Sequence, residues 1–321
     1  MSYRFEPNEG VRAGILRTAR DQLDAALHAL HDEISDDPVE AVHTARKAVK
    51  KERSLLRLAR AALPAKQRRV ENAALRRAAR GLSDARDAEV MVQTLDQLSQ
   101  RFAGQLPESS FATVRVPLEG DRDAHRAQLA DSARVPEAAG QLAGVRARID
   151  AWPLRVGGWP ALEPGLARSY RRGRKAIRAA ERRRSAERMH AWRKRVKDLW
   201  YQERLLAPVG GPAIRGQAKD LHRLADLLGD HHDLGVLRRR LTDEPLPVGA
   251  DVDGIVGLIE HRQAELEGEA LALGSRIYAE KPGAFVRRMR RAWRAGRALE
   301  DGAGQPQPVE LAQATRANPA G

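Results

Sequence analysis

An internal repeat constrains the fold of this chain more than any other feature of the sequence. The segment from His43 to Lys50 matches the segment from His190 to Lys197, 147 positions later, in the pattern His-x-x-Arg-Lys-x-Val-Lys. A second pair of segments, 82–90 and 228–236, matches at an offset of 146. Two matches in the same order and at nearly the same offset indicate a duplicated structural unit. We therefore expect two related halves.

The composition favours α-helices in both halves. Ala, Leu, Arg, Glu and Gln are abundant, whereas aromatic residues make up 4% of the chain. The helical segments expected from the apolar periodicity are 10–32, 38–62, 65–101, 121–149, 162–183, 186–206, 213–241, 252–274 and 283–298. The predicted fold is all-α, with two four-helix bundles related by a pseudo-two-fold axis around a central basic groove or pore.

Pro and Gly residues suggest where the halves separate. They cluster around Trp152-Pro153 and Gly157-Gly158-Trp159-Pro160, which predicts a linker at about 151–161. The first half then spans about 8–150 and the second about 162–300, so that the domain covers 8–300. The segment 301–321 contains Gly, Pro, Gln and Asn with few apolar residues, and we expect it to be disordered.

The net charge of +14 is concentrated in two places. Residues 168–204 contain fifteen Lys and Arg against four acids, and residues 43–60 contain seven against one. Charge of this kind indicates an anionic partner. The absence of Cys excludes disulfides, thiolate metal sites and cysteine nucleophiles. No apolar run approaches the ~18 residues of a membrane span, so we expect a cytoplasmic protein without a membrane partner.

Basic residues recur at helical spacing in both halves. In the first half, intervals of three and four residues place five of them on one helix face, beside an apolar face that Glu52 interrupts. This first stripe consists of His43, Arg46, Lys50, Arg53 and Arg57. The second stripe consists of His190, Arg193, Lys197 and Arg204. A third stripe on the preceding helix consists of Arg168, Arg171, Lys175, Arg178 and Arg182, of which Arg171 and Lys175 are candidate contacts.

The stripes favour a ligand that is rich in phosphate. A basic stripe beside an apolar face lies at a seam between helices, and two facing seams would line an electropositive groove. Guanidinium and ammonium groups suit phosphate oxygens. Nucleic acid is one candidate, but few aromatic side chains are available to stack on bases. A polymer of phosphate without bases needs only the positive charge.

With these motifs the sequence resembles the CHAD family, the conserved histidine α-helical domain. The resemblance rests on the two His-led segments and on Arg86-Asp87, and it spans about 8–300. It implies two helical bundles that bind inorganic polyphosphate. A further expectation is that the protein is located at granules of this polymer. By position, the implied contacts are all residues of the first stripe and all residues of the second stripe, together with Lys194. Arg77 and Arg223 from the following helices are also implied. The last implied contact is Arg86, which corresponds to His232 in the second half.

Two other functional classes remain as alternatives. Glu40-x-x-His43 and Glu187-x-x-His190 are compatible with a di-iron site in a helical bundle, but Arg46 and Arg193 lie one turn away and would repel a divalent cation. We therefore expect no metal and no other cofactor. Recognisable catalytic motifs are absent from the sequence, including a P-loop and Gly-x-Ser-x-Gly. We expect a binding protein rather than an enzyme, with general nucleic-acid binding as the second interpretation and a metal-dependent or phosphate-transferring enzyme as the third.

Overall fold

All of the regular secondary structure is helical in the part of the chain that the computed structural model describes. This part comprises residues 3–82, 84–130, 133–247 and 250–303, without the side chains of 84–87, 130 and 299–303, and it contains no β-strand. The helices are α1 (Val11–His31), α2 (Pro38–Leu58), α3 (Ala65–Gly81), α4 (Asp84–Arg101), α5 (Glu108–Ala130), α6 (Arg134–Arg148), α7 (Gly158–Arg182), α8 (Ala186–Leu206), α9 (Gly211–Asp243), α10 (Val252–Ile277) and α11 (Pro282–Ala303), with a 3₁₀ turn at Ile149–Ala151. The all-α prediction is confirmed for these residues.

The offset of the two His-led motifs also relates the helix boundaries of the two halves. Adding 147 to the bounds of α1 and α2 gives those of α7 and α8 to within a few residues. In the same way α3 and α4 together correspond to α9, α5 to α10 and α6 to α11. The helix contacts match as well, since α1 packs on α2 and α6, whereas α7 packs on α8 and α11. Each half therefore contains more helices than the predicted four.

Several predicted boundaries differ from the structure. The expected helix at 65–101 is two helices, α3 and α4, whereas its counterpart α9 is continuous over 33 residues. The expected helix at 121–149 is also two helices, because α5 runs from Glu108 to Ala130 and α6 from Arg134 to Arg148. Helix α7 begins at Gly158, inside the predicted linker, so that the non-helical connection is shorter than 151–161. Helix α11 continues to Ala303, and the rest of the predicted tail lies outside the described residues.

The hydrophobic core is continuous from one half to the other. It includes Leu23 and Leu55 of the first half, and Trp192 and Phe285 of the second. The N-terminal segment also joins the halves, because the Phe5 amide donates to the Leu205 carbonyl at 2.9 Å. Burial of this apolar surface stabilises the arrangement that places α2 beside α8. No helix within the described ranges is both long and apolar enough to cross a bilayer.

Helices α2 and α8, which carry the first and second stripes, are in direct contact. The Ser54 hydroxyl donates to the Asp198 carbonyl at 2.9 Å, and the Gln202 amide donates to the Ser54 carbonyl at 3.4 Å. Each helix begins at a side-chain cap, with Asp37 accepting from the Val39 and Glu40 amides and Ser185 accepting from the Arg188 amide. Local capping therefore sets where each stripe begins, and the helix contact sets how the stripes approach each other.

Candidate functional site

The N-terminal part of the first stripe lies between α2 and the end of α3. His43 is half-buried and Lys50 is exposed. Arg46 donates from Nη1 to the Leu82 carbonyl at 3.0 Å, just beyond the last turn of α3. A guanidinium at this position stabilises the carbonyl end of the helix. Arg46 thus has a structural contact that the sequence did not predict.

The C-terminal part of the first stripe lies against α3 and α8. Arg53 donates from Nε to the Asn72 side-chain oxygen at 3.0 Å, and Arg57 pairs with Asp198 at 3.2 Å. Burial, together with the charges of Arg57 and Arg76, lowers the pKa of Arg53 to about 10. The guanidiniums crowd one another, and this arrangement favours binding of an anion.

The second stripe begins with two stacked imidazoles. The rings of His190 on α8 and His232 on α9 lie 4.2 Å apart, with 28° between their planes. Burial, together with the charges of Lys194 and Arg193, lowers the pKa of His190 to about 4. Burial and the neighbouring His190 lower the pKa of His232 to about 3. Both rings are therefore neutral at pH 7, and each can offer one N–H donor.

The second stripe also holds buried polar atoms that make no hydrogen bond with the described part of the protein. The Nδ1 atom of His190 and the Nε atom of Arg193 are buried and have no hydrogen-bond partner among the described residues. Burial, together with the charge of Arg193, lowers the pKa of Lys197 to about 8, although Asp233 and Asp226 oppose this shift. Buried donors of this kind usually have a partner, so the second stripe presents unused capacity to bind an acceptor.

The end of the second stripe is bordered by aromatic side chains. The Arg204 guanidinium lies over the Trp200 ring at 5.9 Å. Trp200 also stacks on Tyr201 at 4.6 Å and meets His222 edge-on at 4.4 Å. The sequence indicated that few aromatic side chains are available to stack on bases, and Trp200 is one that lies beside the second stripe. Its ring is already engaged by three neighbours, which leaves it poorly suited to stack on a base.

The remaining candidate residues are more dispersed. Lys194 is exposed beside His190 on α8. Exposed side chains that make no hydrogen bond or ion pair with the described residues are Arg77 on α3, Arg171 and Lys175 on α7, and Arg223 on α9. Arg223 borders a shallow depression with Lys219 and His222. The Arg86 side chain lies outside the described residues. The first and second stripes lie on helices that contact each other at Ser54 and Asp198.

Some basic residues near the site were not predicted from the sequence. Burial lowers the pKa of Lys51 to about 8, and the charges of Arg204 and Lys47 act in the same direction, which places these three groups close together across α2 and α8. Another set surrounds Arg57 and consists of Arg60, Arg68, Arg172 and Arg195. These residues lie outside the three stripes. The only sequence signal for them was the local surplus of Lys and Arg.

A metal site is not formed by the residues suggested for one. Within the described ranges, no group of three or more His, Asp or Glu is placed to hold a metal ion. Glu40 accepts a hydrogen bond from the Thr44 hydroxyl at 3.3 Å. His231, which lies next to His232, contacts Glu267 through Nε2 at 3.0 Å and thereby joins α9 to α10.

Comparison with known proteins identifies the family. The family model of the CHAD domain matches residues 14–242, more than half of the chain and nearly all of α1–α9. No curated protein matches the chain. The fold is similar to that of PptA from Streptomyces chartreusis, with a TM-score of 0.59 and 16% identity over 90% of this chain and 99% of that one. It is also similar to the CHAD domain from the plant Ricinus communis, with a TM-score of 0.60 and 20% identity over 87% of this chain and 95% of that one. The chain belongs to the CHAD domain family.

Proposed function

We propose that this protein binds inorganic polyphosphate, without catalysis, along a surface formed by the first and second stripes. In this proposal the two halves are related by a pseudo-two-fold axis, which brings α2 and α8 together in a central basic groove. The constant offset between corresponding helices and the contact between α2 and α8 support this arrangement. The proposed location is the cytoplasm, including the surface of polyphosphate granules.

The observation that carries the proposal is the unused binding capacity of the second stripe. His190 Nδ1 and Arg193 Nε are buried without a partner among the described residues, and Lys197 sits beside them with its pKa lowered to about 8. Leaving such groups without a partner costs about 1–3 kcal/mol each. A chain of phosphate oxygens along the second stripe would supply acceptors to the Arg193 guanidinium and the Lys197 ammonium and would relieve the repulsion among the cations.

Polyphosphate fits this surface better than a nucleic acid does. The chain contains few aromatic residues, and Trp200 at the end of the second stripe is already covered by Tyr201, His222 and Arg204. Single-stranded nucleic acids are usually held by stacking as well as by charge. The resemblance to the CHAD family supports the same ligand, since that family is linked to polyphosphate. General nucleic-acid binding through the same surface is the alternative.

The dependence of polyphosphate affinity on pH tests the proposal. Lys51 and Lys197 have pKa values of about 8 in the free protein, and a bound polyanion favours their protonated forms. Affinity should therefore be full below about pH 7 and should fall as the pH rises through 8. Titration with long-chain polyphosphate, whose internal phosphates stay ionised, should show a loss of up to about tenfold per lysine between pH 7 and pH 9.

A variant with arginine in place of both lysines provides the control. Lys51→Arg with Lys197→Arg keeps the charge at pH 9, so its affinity should change much less over the same range. No measurable binding to the wild-type protein at pH 7 would contradict the proposed function. An equal pH dependence of the wild-type and the variant would instead show that the two lysines do not touch the ligand.

A further inference from the structure

A cavity rich in arginine lies where the end of α2 meets α3, α7 and α8. Its volume is about 120 Å³, several times the roughly 10–15 Å³ that a single water needs by this kind of measure. We call it the arginine cup, and it is lined by Arg57, Arg60, Arg68, Gly165, Arg168, Ser169, Arg172, Arg195 and Asp198. Six guanidiniums and one carboxylate thus share a space large enough for a small oxyanion.

A close contact between helices builds the arginine cup. A Cβ atom on Gly165 would lie 2.1 Å from the Leu58 carbonyl oxygen, so only glycine allows α7 to approach the last turn of α2 this closely. Arg168 and Arg172 follow Gly165 on α7 by three and seven residues and therefore lie on the same face. The contact thus brings two arginines of α7 close to Arg57 in the last turn of α2.

The positive charge of the arginine cup is only partly neutralised within the protein. Asp198 is its only lining carboxylate, and it pairs with Arg57 and Arg195, each at 3.2 Å. Arg68 donates from Nε to the Leu63 carbonyl at 3.1 Å, which fixes its orientation. Among the described residues, no carboxylate forms an ion pair with the other four arginines, Arg60, Arg68, Arg168 and Arg172.

Burial and the charges of neighbouring arginines lower the pKa values of several arginines in the arginine cup. Burial lowers the pKa values of Arg60 and Arg68, and among the neighbouring charges Arg168 contributes most to both. The pKa of Arg172 is lowered by burial and then by Arg195. A bound anion with more than one negative charge would relieve this repulsion and could accept several charge-assisted hydrogen bonds.

The arginine cup lies at one end of the first stripe. Arg57 is the last residue of the stripe and also lines the cup, and Arg53 lies one turn before it. A phosphate chain along the stripe would therefore run into the cup. An internal phosphate carries one negative charge, whereas a terminal phosphate has a second acidic oxygen with a pKa near 6–7 and carries close to two at neutral pH.

We propose that the arginine cup binds the terminal phosphate of a linear polyphosphate. This inference rests on the proposed function and adds that the surface recognises the end of the chain. Its four unpaired guanidiniums match the greater charge of a terminal phosphate. The shape of the cavity, which ends at the contact between Gly165 and Leu58, is suited to a group that does not continue into another phosphate.

Linear tripolyphosphate and cyclic trimetaphosphate provide the test, because both contain three phosphates and only the linear ion has ends. Titration calorimetry at about 0.15 M salt should show at least tenfold tighter binding of the linear ion by the wild-type protein. Arg60→Gln with Arg168→Gln should reduce binding of the linear ion by tenfold or more and remove the preference over the cyclic ion. The control Arg183→Gln with Arg184→Gln makes the same charge change at exposed positions beyond the end of α7 and should keep the preference.

Two results would overturn the inference. One is equal binding of linear and cyclic ions by the wild-type protein, and the other is an equal loss of preference in the two double variants. Long-chain polyphosphate is titrated in parallel to separate this inference from the proposed function. Failure of the long chain to bind the wild-type protein would refute the proposed function, whereas binding of the long chain without any preference for the linear ion would refute only the end recognition.

Discussion

Reversing two charges of the second stripe should weaken polyphosphate binding by about 100-fold or more. The change is Arg193→Glu with Lys197→Glu, which removes two cations beside the buried Nδ1 atom of His190. Each charge-assisted hydrogen bond contributes about 1.5–3 kcal/mol, so the loss of two corresponds to at least two powers of ten in affinity. The salt dependence should flatten as well, because fewer counterions are released when fewer phosphates are contacted.

The matched control is the same reversal on another helix. Arg287 and Arg291 are also four residues apart on one helix, α11, and both are exposed. Arg288 is unsuitable, because it pairs with Glu280 at 2.8 Å and donates to Gln217 at 2.7 Å. The control lowers the net charge equally and should cost only a few-fold in affinity. Similar losses in the two variants would mean that diffuse attraction, rather than the second stripe, binds the ligand.

Folding of the charge-reversed protein needs a separate check, because Lys197 is half-buried. Arg193→Gln with Lys197→Gln removes the same cations without burying a new carboxylate. We expect this variant to keep the wild-type circular dichroism spectrum and to lose at least tenfold in affinity. Unchanged affinity of a folded Gln variant would contradict the assignment of these two residues.

The second prediction with a large expected effect concerns Glu52 on α2 and the pH dependence of the stability of the fold. Glu52, which lies between Lys51 and Arg53 in the sequence, is fully buried. Neither of its carboxylate oxygens has a hydrogen-bond partner among the described residues. Burial, reinforced by the charge of Glu71, raises its pKa to about 8. Because the pKa is higher in the folded protein than in the unfolded chain, the protonated carboxyl stabilises the fold at low pH. This stability declines above pH 4.5 and is lost as the pH rises through 8.

Replacement of Glu52 by Gln should remove this pH dependence. Between pH 5 and pH 9, the free energy of unfolding of the wild-type protein should fall by about 4 kcal/mol more than that of Glu52→Gln, to an order of magnitude. Urea unfolding at each pH measures the difference. The exposed Glu260, which pairs with Arg238, provides the control, and Glu260→Gln should change the free energy of unfolding by no more than about 1 kcal/mol at any pH. Parallel curves for wild type and Glu52→Gln would show that Glu52 is ionised in the folded protein.

The features that could be predicted from the sequence are those that depend on local periodicity. The intervals of three and four residues in the first and second stripes define helix faces wherever the helices lie, and Asp37 marks the start of α2 by its capping interaction. The repeat also predicted that corresponding segments have corresponding structures. The break between α3 and α4 was missed, because their counterpart α9 is continuous.

The features that could not be predicted depend on how helices cross. Arg195 lies outside the second stripe, and it meets Arg57 only because α2 packs against α8 at Ser54 and Asp198. Glu52 interrupts the apolar face of α2 in the sequence, yet it is buried in the structure. A helix pattern alone cannot distinguish a carboxylate at a surface edge from a neutral carboxyl in the core. The arginine cup likewise depends on the contact between Gly165 and Leu58, which involves residues far apart in the sequence.

Competition between long-chain polyphosphate and duplex DNA tests most directly whether this surface is a polyphosphate site. Both polymers are added to the purified protein at matched phosphate concentration and a salt concentration of about 0.15 M, because phosphate contacts depend strongly on salt. We expect polyphosphate to displace bound DNA at a phosphate concentration at least tenfold lower than DNA needs to displace polyphosphate. Equal competition, or more effective displacement by DNA, would contradict the account and favour a general nucleic-acid binder.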